Sequence, residues 1–236
     1  MSSSSLQPGQ QIAQTLELPL GENPAHVRPA EIDYLLYMPK GASPDGEYPL
    51  LLFLHGAGQR GTDVQQVRDH GPPSFVEQRE DFPFITVSPQ CRPDCWWTMD
   101  GYLMALEHLI NHLRETLPVD PTRIYLTGLS LGGYGTFALA ARNPGLFAAA
   151  VPICGGGDLQ LADKLATTPL WAFHGADDPV VPLIRSTEMV EAITAAGGQI
   201  QLTTYPDAEH DSWTRTYESP ALYQWLLTHQ LQQGTT

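Results

Sequence analysis

The chain has only three cysteines, Cys91, Cys95 and Cys154, among 236 residues. So low and odd a count excludes a disulfide scaffold. Cys91 and Cys95 share one loop and could bridge locally, but two reduced thiols are the simpler reading. Their spacing, without a second ligand pair, matches no common zinc pattern, and neither a metal nor a cofactor is expected. Cations are also scarce: 12 Lys and Arg stand against 26 Asp and Glu, a formal net charge of −14. No Lys/Arg run offsets this locally, which argues against nucleic acid and anionic membranes as partners. No apolar run approaches the roughly 20 residues needed to cross a bilayer, so no membrane insertion is expected. The start, Met1 to Pro8, has neither a basic region nor an apolar core. No secretory signal is read there, and a cytoplasmic location is expected.

What the chain does have is alternation. Apolar runs at Ile32–Met38, Tyr48–Leu54, Phe84–Val87, Ile124–Thr127, Phe147–Ile153, Leu170–His174 and Ile200–Tyr205 read as strands. Helical patterns fall at Val64–Asp69, Tyr102–Leu117, Gly132–Arg142, Ile184–Ala196 and Pro220–Leu231. Strand and helix in this order predict one α/β domain over 1–236, a mostly parallel sheet covered on both faces. Residues 1–12 and 232–236 are expected to be mobile. Functional groups on such sheets collect at the carboxyl ends of the strands.

One strand end carries Gly128-Leu129-Ser130-Leu131-Gly132. The pentapeptide alone occurs often by chance. Between an apolar strand and a helix of small residues, however, it forms a turn that projects a serine hydroxyl above the sheet. Other strand ends carry His55-Gly56-Ala57-Gly58, Pro89-Gln90, Asp177-Asp178-Pro179 and His210. A parallel sheet brings all of these to one edge. Acyl transfer needs a nucleophile, a base, an acid that orients the base, and backbone donors for the oxyanion.

Ser130 is the candidate nucleophile. Of eight histidines, His210 is the candidate base, in a polar loop after the last strand. His26 and His70 lie in connections, and His108 and His112 lack the Glu of a His-Glu-x-x-His site. His229 falls in the terminal helix and is expected to be exposed. His55 and His174 each precede Gly at a strand end, where structural hydrogen bonding is the default. The acid is Asp177 or Asp178, with Asp158 and Asp163 as weaker candidates. The oxyanion amides would be Leu131 and Ala57, with Gly58 as runner-up.

These segments resemble the α/β-hydrolases, and more narrowly the dienelactone-hydrolase-like carboxylesterases. Within those they are similar to a bacterial group grouped with polyhydroxybutyrate depolymerases, feruloyl-type esterases and predicted peptidases. The resemblance spans roughly Glu31 to Leu227. It rests on Leu54-His55-Gly56-Ala57-Gly58, Arg60-Gly61-Thr62-Asp63, Ser88-Pro89-Gln90-Cys91, the stretch from Arg123 to Gly135, Pro152 to Gly156, Phe173 to Pro182, and His210-Asp211-Ser212-Trp213. It implies an α/β-hydrolase fold and a Ser-His-Asp triad with Asp178, rather than Asp177, as the acid. The family favours an acidic residue where Gln59 stands, which leaves the role of that position open. Leu131 is often Met in relatives, with the same backbone function.

The connection from Cys154 to Pro169 is too short for a large helical cap. An open site preferring short-acyl or aryl esters is therefore expected, with hydroxycinnamate esters included if aromatics line it. Trp96, Trp97 and Trp213 are the candidate pocket walls. A small-molecule ester is the expected partner. Thioesterase, peptidase and polyester depolymerase chemistry use the same triad and stay open as alternatives. A non-catalytic binding protein on this fold would need a broken triad.

Overall fold

The computed structural model describes residues 7–19, 29–43 and 45–232. Its strands are β1 (Gln11–Glu17), β2 (Glu31–Tyr37), β3 (Tyr48–Leu54), β4 (Ile85–Pro89), β5 (Val119–Leu129), β6 (Ala149–Ile153), β7 (Leu170–Gly175) and β8 (Ile200–Tyr205). They form a single eight-stranded sheet in the order β1-β2-β4-β3-β5-β6-β7-β8. β1 and β2 pair antiparallel, as do β2 and β4. All pairs from β4 across to β8 are parallel. The helices are α1 (Asp100–Thr116), α2 (Leu131–Arg142), α3 (Ala162–Leu165), α4 (Ile184–Ala195), α5 (Trp213–Glu218) and α6 (Pro220–Leu227). This is the α/β-hydrolase architecture, without a large cap among the described residues: the β6–β7 connection holds only one short turn and the four-residue α3.

The period-2 geometry of a strand explains how one apolar run serves two cores. Leu50, Leu52 and Leu54 of β3 face the cluster that includes Leu106 of α1, Leu139 of α2 and Met189 of α4. Leu51 and Phe53 face the other cluster, with Tyr217 of α5 and Leu222 and Leu226 of α6. On α1, Leu103, Leu106, Leu109, Ile110 and Leu113 are all buried, as their helical spacing requires. β3, buried from its second residue to its last, thus fixes the loop that leaves it.

Four expectations need correction. Residues 1–6 and 233–236 lie outside the described residues, but Gln11 and Ile12 belong to β1 rather than to a mobile start. β1 pairs along its whole length with β2. β5 is longer than Ile124–Thr127, because Asp120 turns its carboxylate inward onto Thr122 and Arg123 and keeps a polar stretch in the ladder. The last helix stops at Leu227, and a separate α5 precedes it. His229 is half-buried, with its Nδ1 on Trp225 O and its carbonyl accepting from Tyr125 Oη. His26 lies outside the described residues.

Candidate active site

The turn between β5 and α2 holds Ser130 at φ 54°, ψ −112°, in the left-handed half of backbone space. A non-glycine residue there is strained and persists only where its surroundings demand it. Those surroundings admit no side chain on either flank. A Cβ at Gly132 would lie 1.9 Å from Leu54 O, and one at Gly128 would lie 2.4 Å from Gly132 O. The two glycines therefore let the strand, the turn and β3 close together, and the strain is concentrated on the serine. Ser130 N donates to Ile153 O at 2.9 Å, which ties the turn to the end of β6.

His210 follows β8 and reaches back across the sheet edge. Its Nε2 lies 3.0 Å from Ser130 Oγ, and its Nδ1 lies 2.7 Å from Asp178 Oδ2. The carboxylate only accepts, so Nδ1 carries the proton and Nε2 presents its lone pair to the serine hydroxyl. Asp178 Oδ1 accepts the amides of Val180 and Val181, each at 2.9 Å. Burial pushes the Asp178 carboxyl up, but the His210 N–H and those two amides outweigh it and hold the group below the usual carboxylate range. Asp177 is exposed, so of the two neighbours only Asp178 faces the histidine. Asp158 caps a turn through Gln160 N, and Asp163 is exposed on α3.

Leu131 is the first residue of α2, so its amide is among the free N–H groups at a helix start. Ala57 opens a short turn directly after β3, and both it and Gly58 are exposed. Gln59 is buried, and its carbonyl accepts Gln90 Nε2 at 2.8 Å. That bond and a second from Gln90 Nε2 to Asp63 O fasten the loop beyond Ala57 to the end of β4.

The remaining strand-end histidines are locked. His55 is buried, with Nδ1 donating to Gly56 O at 2.6 Å and Nε2 accepting Cys91 N at 3.0 Å. Burial holds its pKa down at about 4. His174 is fully buried between Ser186 Oγ and Val181 O. His108 and His112 sit half-buried on α1, away from the strand ends.

The three tryptophans separate. Trp213 meets the His210 ring edge-on, with centroids 5.2 Å apart, and on its other side meets His70 at 5.5 Å. Trp96 is half-exposed beneath the Arg60 guanidinium. Trp97 is not a pocket wall. It is fully buried, its Nε1 donates to His55 O at 3.0 Å, and it packs against Tyr102. The adjacent indoles point opposite ways because the loop must both seal the core and cross the surface.

Two features had no strong sequence signal. His70, in a connection without a partner pattern, helps line a cavity of about 290 Å³ with Phe75, Arg79 and Tyr217. Cys154 ends β6 at φ 40° and is buried beneath the site. Its ligand atom lies within 4.8 Å of those of Asp178 and His210. Burial pushes the thiol up to about 12, so it is protonated and packs as a small apolar group. Because His210 and Asp178 bond each other, this group is a hydrogen-bonded pair over a thiol rather than a set of open ligands. Cys91 and Cys95 are free thiols. A larger cavity of about 650 Å³ runs along α2 past Tyr134, Ala138 and Arg142, and Ser130 does not line it. Among the described residues, no helix is long and apolar enough to cross a membrane.

Comparison with known proteins adds context to this geometry. The family model for the dienelactone hydrolase family matches residues 91–222. A probable feruloyl esterase C of Aspergillus terreus is 28% identical over 169 residues, covering 70% of this chain and 62% of that protein. Poly(3-hydroxyalkanoate) depolymerase C of Paucimonas lemoignei is 38% identical over 56 residues, 24% of this chain and 14% of that protein. The crystal structure of a thermostable esterase superposes with a TM-score of 0.81 at 35% identity, covering 93% of this chain and 63% of that one. The chain thus covers somewhat under two thirds of the feruloyl esterase and of the thermostable esterase, and 14% of the depolymerase. A feruloyl esterase module from Clostridium thermocellum, solved with sinapinate, shares the fold with a TM-score of 0.70 at 15% identity, covering 94% of this chain and 91% of that one.

Proposed function

The chain belongs to the dienelactone hydrolase family, and from that premise we propose that it is a serine carboxylesterase acting on short-acyl or aryl esters. The observation that carries the reading is the hydrogen-bonded chain from Ser130 Oγ through His210 to Asp178 at the carboxyl edge of the sheet. Ser130 Oγ attacks the ester carbonyl as His210 Nε2 takes its proton. The amides of Leu131 and Ala57 hold the oxyanion, each worth about 3 kcal/mol by analogy with other oxyanion donors. His210 then returns the proton to the departing alcohol. Water, deprotonated by the same nitrogen, releases the acid from Ser130.

Trp213, whose ring meets His210 edge-on, supports an aryl group on the substrate. An aromatic ring packed edge-on against an indole gains about 0.5–1.5 kcal/mol beyond its buried area. The feruloyl esterases among the relatives make hydroxycinnamate esters the first candidates. The absence of a large cap in the described residues favours short acyl chains over long ones. A panel of acetate, butyrate, long-chain and hydroxycinnamate esters, with matching thioesters and amides, tests this. Hydrolysis of short or aryl esters that disappears in Ser130→Ala is the expected result. Preference for long chains, or turnover that survives in Ser130→Ala, contradicts it.

A further inference from the structure

Asp178 Oδ2 faces two imidazoles. His210 Nδ1 lies 2.7 Å from it, and His174 Nε2 lies 3.3 Å from the same atom. His174 sits four residues earlier, next to the last residue of strand β7, and its side chain is fully buried. Its partners define its protonation. Nε2 also lies 2.8 Å from Val181 O, which can only accept, so Nε2 carries the proton. Nδ1 lies 2.7 Å from Ser186 Oγ on α4, and that oxygen lies 3.0 Å from Gly155 O. Ser186 has one proton for two acceptors, Gly155 O and the Nδ1 lone pair of the neutral ring. Burial disfavours the imidazolium and keeps His174 neutral.

The carboxylate is thereby saturated. Two amides hold Oδ1, and two imidazole N–H groups converge on Oδ2. Each donor spreads the negative charge that would otherwise be directed at His210. An acid that pulls too hard keeps the base protonated at neutral pH and makes it a poor proton donor to the leaving alcohol.

We propose that His174 is a positioning residue whose Nε2–H, shared between Val181 O and Asp178 Oδ2, orients the acid and sets the pH at which His210 becomes free to act as base. The inference rests on the triad reading given above. Other groups face this unit from the neighbouring elements. His210 and Asp211 come from the β8 end, the Cys154 thiol from the β6 end, and Ser186 from α4. Arg185 of α4 and Tyr134 of α2 both flank Gly156, and the charges of Arg185 and Asp178 both reach the Tyr134 hydroxyl.

The test is the titration of His210, followed by histidine ¹⁵N NMR in the wild type, His174→Met and His174→Gln, together with kcat/KM against pH on an aryl acetate. In His174→Met the donor is lost, so Asp178 holds the His210 imidazolium more tightly. Its titration, and the acid limb of kcat/KM, move up by about 0.5–1 pH unit, roughly a 3- to 10-fold gain in proton affinity. The effect falls on kcat more than on KM. In His174→Gln, whose amide nitrogen can take the place of Nε2, both return toward wild type. In the wild type at neutral pH, His174 shows the neutral Nε2–H tautomer.

A His174→Met protein with unshifted His210 titration overturns the inference, whatever its stability. A wild-type His174 in the Nδ1–H form overturns it without any variant, which covers the case where His174→Met fails to fold. Activity that survives in Ser130→Ala contradicts the esterase reading instead. The His210 titration needs no turnover, so the two failures are distinguishable.

Discussion

The ends of β3 and β8 each lead to a histidine, and the two have opposite fates. His55, after β3, is enclosed on all sides. Both ring nitrogens are committed to backbone groups, its carbonyl is capped by the Trp97 indole, and burial holds the ring neutral with a pKa of about 4. His210, after β8, keeps one nitrogen on a carboxylate and turns the other to a serine hydroxyl, with its side chain 20% exposed. A base must be able to gain a proton during reaction, and His55 cannot do so without breaking its own contacts. The lesson is that the partner set, more than the residue type or its place at a strand end, separates a structural histidine from a candidate base.

The sharpest way to break this contrast is at the reacting end. Ser130→Ala, and separately His210→Gln, should each lower kcat on a short ester by about 10⁴-fold or more. Thermal unfolding should show little loss of stability in Ser130→Ala, since the exchange removes one half-buried hydroxyl and His210 keeps its bond to Asp178. The opposite pattern is expected at the β3 end. His55→Leu strands the Cys91 amide and disturbs the loop, at a cost of about 2–4 kcal/mol in urea unfolding. The loop carries Ala57, so activity should fall as well, but far less than in the Ser130 and His210 variants, which lose a reacting group.

The contrast also has a pH signature. The His55 pKa is depressed in the folded state, so above the ordinary value near 6.5 both folded and unfolded forms are neutral and no penalty exists. As pH falls below that value the unfolded chain binds a proton that the folded chain refuses. Stability should therefore decline from about pH 6.5 to about pH 4, by on the order of 3 kcal/mol from His55 alone. His174, shifted in the same direction, adds to the loss. Urea midpoints across this range check it, and a flatter curve in His55→Leu would assign the effect.

The tryptophans give the smallest and most selective test. Trp213→Ala should raise KM for aryl esters by about 5- to 10-fold and change KM for acetate esters little. Trp97→Phe should leave both KM values alone and cost about 1 kcal/mol of stability through the lost bond to His55 O.

Much of this was legible in the residues. Long apolar runs such as Tyr48–Leu54 announce buried parallel strands, and Ser130, Asp178 and His210 all stand where such runs end. The edge was harder to read. β1 alternates a half-buried face with polar residues, and its pairing with β2 is a long-range event with no local marker. α5 is six residues long, too short for a helical period to emerge. Trp96 and Trp97 look alike in sequence, and only packing decides that one indole seals the core while its neighbour meets solvent. The second imidazole on Asp178 was likewise hidden. His174 can be recognised as structural from its strand end, but its approach to Oδ2 depends on how the β7 turn folds back.

The central claim is that Ser130 is a nucleophile activated by His210. Incubation with a fluorophosphonate, followed by peptide mass mapping, tests it directly. The account predicts one adduct on Ser130, none in Ser130→Ala, and labelling slowed by orders of magnitude in His210→Gln. No adduct on Ser130 in the intact protein, or equal labelling rates with and without His210, would contradict it.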